Sequence, residues 1–221
     1  MTLSLINVTR YYQGKSHQDQ ALTYLQQQLE ATQPNLLADN SEFARRWRNL
    51  NPVSPDRLIS AEGIGLAQLG MTYGAFKQQL GEAITFQVRS PFIVDFDAIA
   101  VVLDGQDLFY ILYPASTTLT DVDTLESLVT ENPNFRTAAG VGPGVLLQQG
   151  VQAYGAPSFS YSLANESREF VKFANQPSPR IGFSPVAPCY QFAGIYSEPV
   201  QEFNQTNAYQ ANTSLCRVWV S

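Results

Sequence analysis

The chain carries a single histidine, His17, two cysteines, Cys189 and Cys216, and 19 acidic side chains, and these bound the chemistry open to it. A Ser-His-Asp or Cys-His site would have to use His17. That residue falls in the first turn of a polar predicted helix, far in sequence from both cysteines, where a solvent-exposed capping role is the ordinary one. No Gly-x-Ser-x-Gly elbow, phosphate-cradling glycine loop or His/Cys cluster with zinc spacing occurs. Carboxylates remain. Asp95 and Asp97 flank Phe96 just before a predicted strand, and a period of two aims both at one face. Paired carboxylates can perturb one another's protonation or hold a cation, which is how a glycosidase or a calcium site begins. Aspartates at a strand entry also cap turns and keep an edge soluble, as Arg168-Glu169 does at the equivalent later place. Asp121, Asp123 and Glu126 form an acidic helix start without the central glycine of a calcium loop. No cofactor or metal is implied, and the balance leans away from an enzyme.

The scaffold for these residues is organised around Gly70-Met-Thr-Tyr-Gly-Ala-Phe-Lys-Gln-Gln-Leu-Gly81. Seventy-four residues later comes Gly144-Val-Leu-Leu-Gln-Gln-Gly-Val-Gln-Ala-Tyr-Gly155. Tyr73, Phe76 and Leu80 share one helical face, as do Leu147, Val151 and Tyr154. Each segment stops at a glycine able to take the left-handed conformation. The same offset pairs Phe96 with Phe170, Ala100 with Ala174 and Phe109 with Phe183. The pattern predicts an α+β fold: a helical N-terminal segment over 1–50, then two duplicated helix-plus-antiparallel-sheet units over 59–135 and 136–221.

Within 1–50, Ser16–Asp19 resembles a capping box ahead of Ala21, Leu22, Leu25 and Leu29, and a second short helix carries Phe43 and Trp47. Asn51–Pro55 reads as a linker. The first unit predicts strands at Ile84–Val88, Ala98–Leu103 and Leu108–Tyr113, with a hairpin turn at Asp104-Gly105. A short helix follows over Thr120–Val129. The second unit predicts strands at Ser158–Tyr161, Arg168–Phe173, Arg180–Ser184, Phe192–Tyr196 and Leu215–Val220, with a surface loop over 198–213.

The formal net charge is -6, with five basic and four acidic side chains in residues 1–50 and eight and fifteen in the remainder. An acidic body without basic clusters argues against nucleic acid and anionic lipid as partners. No apolar run approaches the roughly 20 residues that span a bilayer. Met1–Asn7 lacks the basic region and apolar core of a signal peptide, so the sequence as written reads as cytoplasmic, with envelope association left open through a removed leader. Cys189 and Cys216 admit two readings. A disulfide would tie the last strand to an earlier loop, worth about 3 kcal/mol in the loop-entropy picture; two buried thiols are the alternative.

Two resemblances add to this. Tyr11-Tyr-Gln-Gly14, His17-Gln18, Ala21-Leu22, Tyr24-Leu25 and Phe43-Ala-Arg-Arg-Trp-Arg48 resemble a helical segment of cyanobacterial proteins, several of them cell-wall hydrolases. The likeness implies a cyanobacterial or cyanophage origin and a link to peptidoglycan, but brings no catalytic site. Gly70, Met71, Thr72, Leu80 and Gly81, followed by antiparallel strands, resemble the unit of SmpA/OmlA (BamE)-type lipoproteins. Doubled at this spacing, the pattern is also similar to the β-lactamase inhibitor protein. Val145 and Leu146 depart from it in the second unit. This likeness implies a sheet module that binds other proteins.

Aromatics make up 12% of the chain. Alternation turns part of them away from the helices, and Tyr110, Tyr113, Phe159, Tyr161 and Phe173 are the expected binding residues on an aromatic outer face. The reading is a non-catalytic protein-interaction module. Its alternatives are a peptidoglycan- or glycan-acting hydrolase using Asp95 and Asp97, and a structural component of a phage or secretion assembly.

Overall fold

The structure, a computed structural model, describes residues 55–185, 192–210 and 212–221. The helices expected within 1–50, and the linker up to residue 54, lie outside the described residues.

After a 3-10 turn at Pro55–Arg57 come three two-residue strands, β1 (Leu58–Ile59), β2 (Gly63–Ile64) and β3 (Ala67–Gln68). The helix α1 (Tyr73–Gln79) leads into β4 (Ile84–Ile93), β5 (Phe96–Leu103), β6 (Gln106–Pro114), β7 (Ser127–Thr130) and β8 (Arg136–Thr137). Then α2 (Leu147–Tyr154) precedes β9 (Pro157–Ser162), β10 (Phe170–Phe173), β11 (Ile181–Pro185), β12 (Phe203–Thr206) and β13 (Leu215–Val220). The strands form a nine-stranded antiparallel sheet, ordered β12-β9-β10-β11-β13-β7-β6-β5-β4, and a four-stranded one, ordered β3-β2-β1-β8. In the smaller sheet β1 and β8 run parallel.

This corrects the α+β expectation of two duplicated helix-plus-sheet units. Among the described residues strand is the dominant element, the two α-helices are 7 and 8 residues long, and one continuous large sheet runs through both expected units. The helix expected over Thr120–Val129 is also absent. Asp123 Oδ2 accepts from Thr120 N–H and Oγ1–H at 2.6 and 2.7 Å, closing a turn, and β7 follows as the central strand between β6 and β13. The loop expected over 198–213 contains β12, whereas Phe192–Tyr196 forms only an isolated bridge, Gly194 with Tyr209.

Local chemistry explains the helix boundaries. Thr72 caps α1, its hydroxyl accepting from Ala75 N–H at 3.2 Å. The next orphan donors, Tyr73 and Gly74 N–H, reach the carbonyls of Asp123 and Asp121 at 2.8 and 2.9 Å. A Cβ on Gly74 would lie 2.9 Å from that Asp121 oxygen, so the close approach requires glycine. At α2 the Leu147 N–H reaches Thr213 O at 2.8 Å. Gly155 ends α2 at φ 82 and ψ -164, a positive-φ backbone that favours glycine but not the left-handed helical conformation expected, and α1 ends at Leu80 with φ -97.

One face of the large sheet carries Ile99, Val101, Phe109, Ile111, Leu128, Val171, Phe183 and Val218, all buried. Tyr73 and Phe76 of α1, Leu147 and Tyr154 of α2, and Ile59, Ile64 and Ala67 of the small sheet pack with them in a single core. Each such aliphatic or aromatic side chain contributes about 1.5–3 kcal/mol on burial.

The longest hairpin does something further. Asp104 and Gly105 both have positive φ, 50 and 75, as a two-residue hairpin turn of the twist-matching kind requires. At the other end of β5, Arg89 pairs with Ala98 and Ile93 with Phe96, so Ser90, Pro91 and Phe92 oppose Asp97 alone. Extra residues on one strand bend it sharply. The end of the β4–β5 hairpin thereby folds over the second face of the sheet.

Candidate functional site

That second face is built by the alternate residues of the same strands. Ala98, Leu112 and Val129 form a small separate core, with Phe92, Phe96, Tyr110 and Trp219 half-buried around it. Register lines up its central row: Trp219 pairs with Val129, Val129 with Tyr110, and Tyr110 with Ala100.

Arg217 is the charged centre. Its guanidinium lies 5.6 Å from the Phe92 ring centroid and 5.4 Å from that of Trp219. Its Nε–H donates to Glu131 Oε1 at 2.7 Å, and Nη2 contacts the same oxygen. With 23% and 36% of the two side chains accessible, this pair is better shielded than an ordinary surface ion pair. Aromatic faces on both sides add cation–π attraction. Gly182 lies opposite Trp219 in the register, where an added Cβ would stand at ordinary contact distance, 3.6 Å from Trp219 Cβ, while Trp219 Nε1–H donates to Ser184 Oγ at 3.0 Å. The Phe170 ring stands 6.1 Å from the indole. On the far side, Tyr110 packs on Phe92 at 4.8 Å and donates its hydroxyl to Asp107 at 2.9 Å, and Arg89 reaches Asp107 at 3.4 Å. Burial first, then that hydrogen bond, pushes the Tyr110 hydroxyl well above its usual pKa and keeps it a donor.

Of the five expected binding residues, only Tyr110 lies on this face. Tyr113, Phe159, Tyr161 and Phe173 are buried, and the expectation that they form an outer surface is corrected. The reason is parity: in β6, β9 and β10 these residues share the inner side, covered by the helices and the small sheet and, at Tyr161, by Phe192 and Tyr196. Phe173 packs on Phe183 and Tyr154, Phe159 on Tyr209, and Tyr161 stacks on Phe192 at 4.2 Å. Phe92, Phe170, Arg217 and Trp219 were not expected. Phe170 and Trp219 could have been found from the alternation of β10 and β13, given knowledge of which side is covered.

The acidic candidates have structural partners. Asp97 is buried and accepts from Ser116 N–H at 3.1 Å, while Asp95, with 64% of its side chain accessible, faces Arg168 at 3.7 Å. The Asp95 carbonyl accepts from Ala115 N–H at 3.0 Å, so both aspartates fasten the turn after β6. Asp121 pairs with Lys77, and the hydrogen bonds from Thr120 hold the Asp123 carboxyl below the usual aspartate range. Glu126 is exposed. Among the described residues no three His, Cys, Asp or Glu side chains gather into a metal-holding group, and no helix is long and apolar enough to cross a membrane. Cys216 on β13 is disulfide-bonded; His17 and Cys189 lie outside the described residues. What the arrangement offers is a contact surface: rigid, half-buried rings around a fixed cation. No family model matches the chain, and neither a curated protein nor a solved structure matches it.

Proposed function

We propose that the chain is a non-catalytic protein-interaction module whose contact surface is the second face of the large sheet. The observation that carries this is the half-buried set Phe92, Tyr110, Phe170, Arg217 and Trp219 gathered on one face of rigid strands. Trp, Tyr and Arg dominate the energetics of protein interfaces because each combines a large apolar area with a polar group. Here the rings and the ion pair fix the arginine before any partner arrives, which lowers the ordering cost of binding.

The test is retention of cell-lysate proteins on the immobilised full chain, comparing wild type with Trp219→Ala/Phe170→Ala, with isolated sacculi in parallel. A specific protein retained by wild type and weakened about 30-fold or more by the double change supports the reading, since a lost interface anchor costs about 2 kcal/mol. Retention insensitive to both changes sinks it. Release of soluble muropeptides, lost in Asp95→Asn/Asp97→Asn, would replace it with the hydrolase.

A further inference from the structure

We infer that the outer edge of β4 is a self-association surface, pairing antiparallel with β4 of a second copy of this chain. The edge is separate from the aromatic face, so the two proposals fail independently.

The large sheet ends in β12 on one side and β4 on the other. The β12 edge is blunted. It is 4 residues long, follows Glu202, and is flanked by the 193–195 segment, with Ile195 N–H on Ala208 O and Thr206 Oγ1–H on Ile195 O, both at 2.8 Å. The β4 edge is different. It spans 10 residues, and among the described residues no strand pairs with its outer side. From Ala83 to Val88 it carries no charge. Val88, the last residue of that stretch and near the middle of β4, is 65% exposed, where a lysine or an inward-pointing charge would ordinarily discourage pairing.

The sequence of the edge suits its own copy. A two-fold axis through Phe86 sets Ile84 opposite the second copy's Val88 and Thr85 opposite its Gln87, and residues so paired share a face. The exposed Val88 then lies beside Ile84, which closes the core of the neighbouring sheet. Antiparallel pairing also brings the exposed Glu82 end of one strand to the Arg89 end of the other, where the guanidinium that Asp107 of its own chain holds at 3.4 Å is still 40% accessible to a second carboxylate. The net charge of -6 makes copies of this chain repel elsewhere, so a neutral edge with complementary ends is the route by which they meet. Pairing stops where Pro91 removes a donor and the bulge after Arg89 bends the strand away. The contact is short, which makes it reversible and dependent on concentration.

Sedimentation equilibrium of the full chain over a range of concentrations, with hydrogen–deuterium exchange on the same samples, tests this. A monomer–dimer equilibrium is expected, with β4 amides gaining protection as concentration rises. Val88→Lys raises the dimer dissociation constant about tenfold while leaving Tm unchanged, because the side chain is exposed in the monomer. A monomer up to about 1 mM, the limit of a measurable dimer, overturns the proposal. So does a dimer insensitive to Val88→Lys whose β4 exchange ignores concentration.

Discussion

Phe92 lies against Tyr110 with ring centroids 4.8 Å apart, although β5 separates their strands in the sheet. The contact exists because the β4–β5 hairpin bends over the face it belongs to, and Phe92 is the side chain that seals the small core beneath. Phe92→Ala should therefore destabilise the fold by about 1–3 kcal/mol, less than a fully buried phenylalanine because its ring is half-buried. Urea unfolding measures this, and Phe92→Leu should recover much of the loss. Unchanged stability in Phe92→Ala would show that the hairpin end is not packed.

Glu169, expected at a strand entry to keep an edge soluble, is instead a buried carboxylate with a structural task. It accepts from Ala193 N–H at 2.7 Å, Gly194 N–H at 2.9 Å and Tyr196 O–H at 2.7 Å. These bonds pin the segment that covers Tyr161. Glu169→Gln keeps the shape, but its amide presents a donor to donors, and the loss should reach about 2–4 kcal/mol. Amide exchange at Ala193 and Gly194 should accelerate with it. Exchange that stays slow would mean the 192–196 segment is held by its aromatic packing alone.

Gly150 separates helix propensity from packing. Alanine in a helix interior usually stabilises by about 1 kcal/mol relative to glycine. Here a Cβ at Gly150 would stand 2.7 Å from the Phe173 ring, itself buried. Gly150→Ala should thus be destabilising by about 1–3 kcal/mol, and Gly150→Ala/Phe173→Leu should be less so than the two single changes summed. Thermal unfolding of the three variants decides it. A stabilised Gly150→Ala would place the helix farther from β10.

Both helices and most strands were legible from glycine-bounded amphipathic segments and from alternation. Two kinds of fact were not. The segment Thr120–Val129 spaces Val122, Leu125 and Val129 as a helix would, yet β7 is a strand because Val129 and Leu128 pair with Trp219 and Val220, about ninety residues away. Local propensity cannot see such a partner. The second is which side of each strand is covered. Alternation in β9 and β10 separates Phe159, Tyr161 and Phe173 from Phe170 correctly, but choosing the buried set requires knowing where α1, α2 and the small sheet lie. Phe92 reached the site through two extra residues in β4, and no periodicity marks a bulge.

Tyrosine ionisation sets the alkaline limit of this fold. Burial, then the nearby Asp121 and Tyr113, push the Tyr73 hydroxyl from its ordinary value of 10.0 up to about 12. Burial also raises Tyr110, Tyr113 and Tyr196, helped at Tyr110 by Asp107 and at Tyr196 by Glu169. A hydroxyl whose folded pKa lies above its unfolded one favours folding fully at pH below the unfolded value, and that contribution is lost as pH climbs towards the folded value. Stability should accordingly be insensitive to these groups below pH 10.0 and fall steadily from there towards about 12. Urea midpoints measured across that window should drop, and Tyr73→Phe, which has no proton to lose, should make the drop shallower. Absorbance titration of the native protein should show some of the 11 tyrosines ionising only as the fold is lost. All of them titrating together near the ordinary tyrosine value, with the native circular dichroism intact, would contradict the burial that raises them.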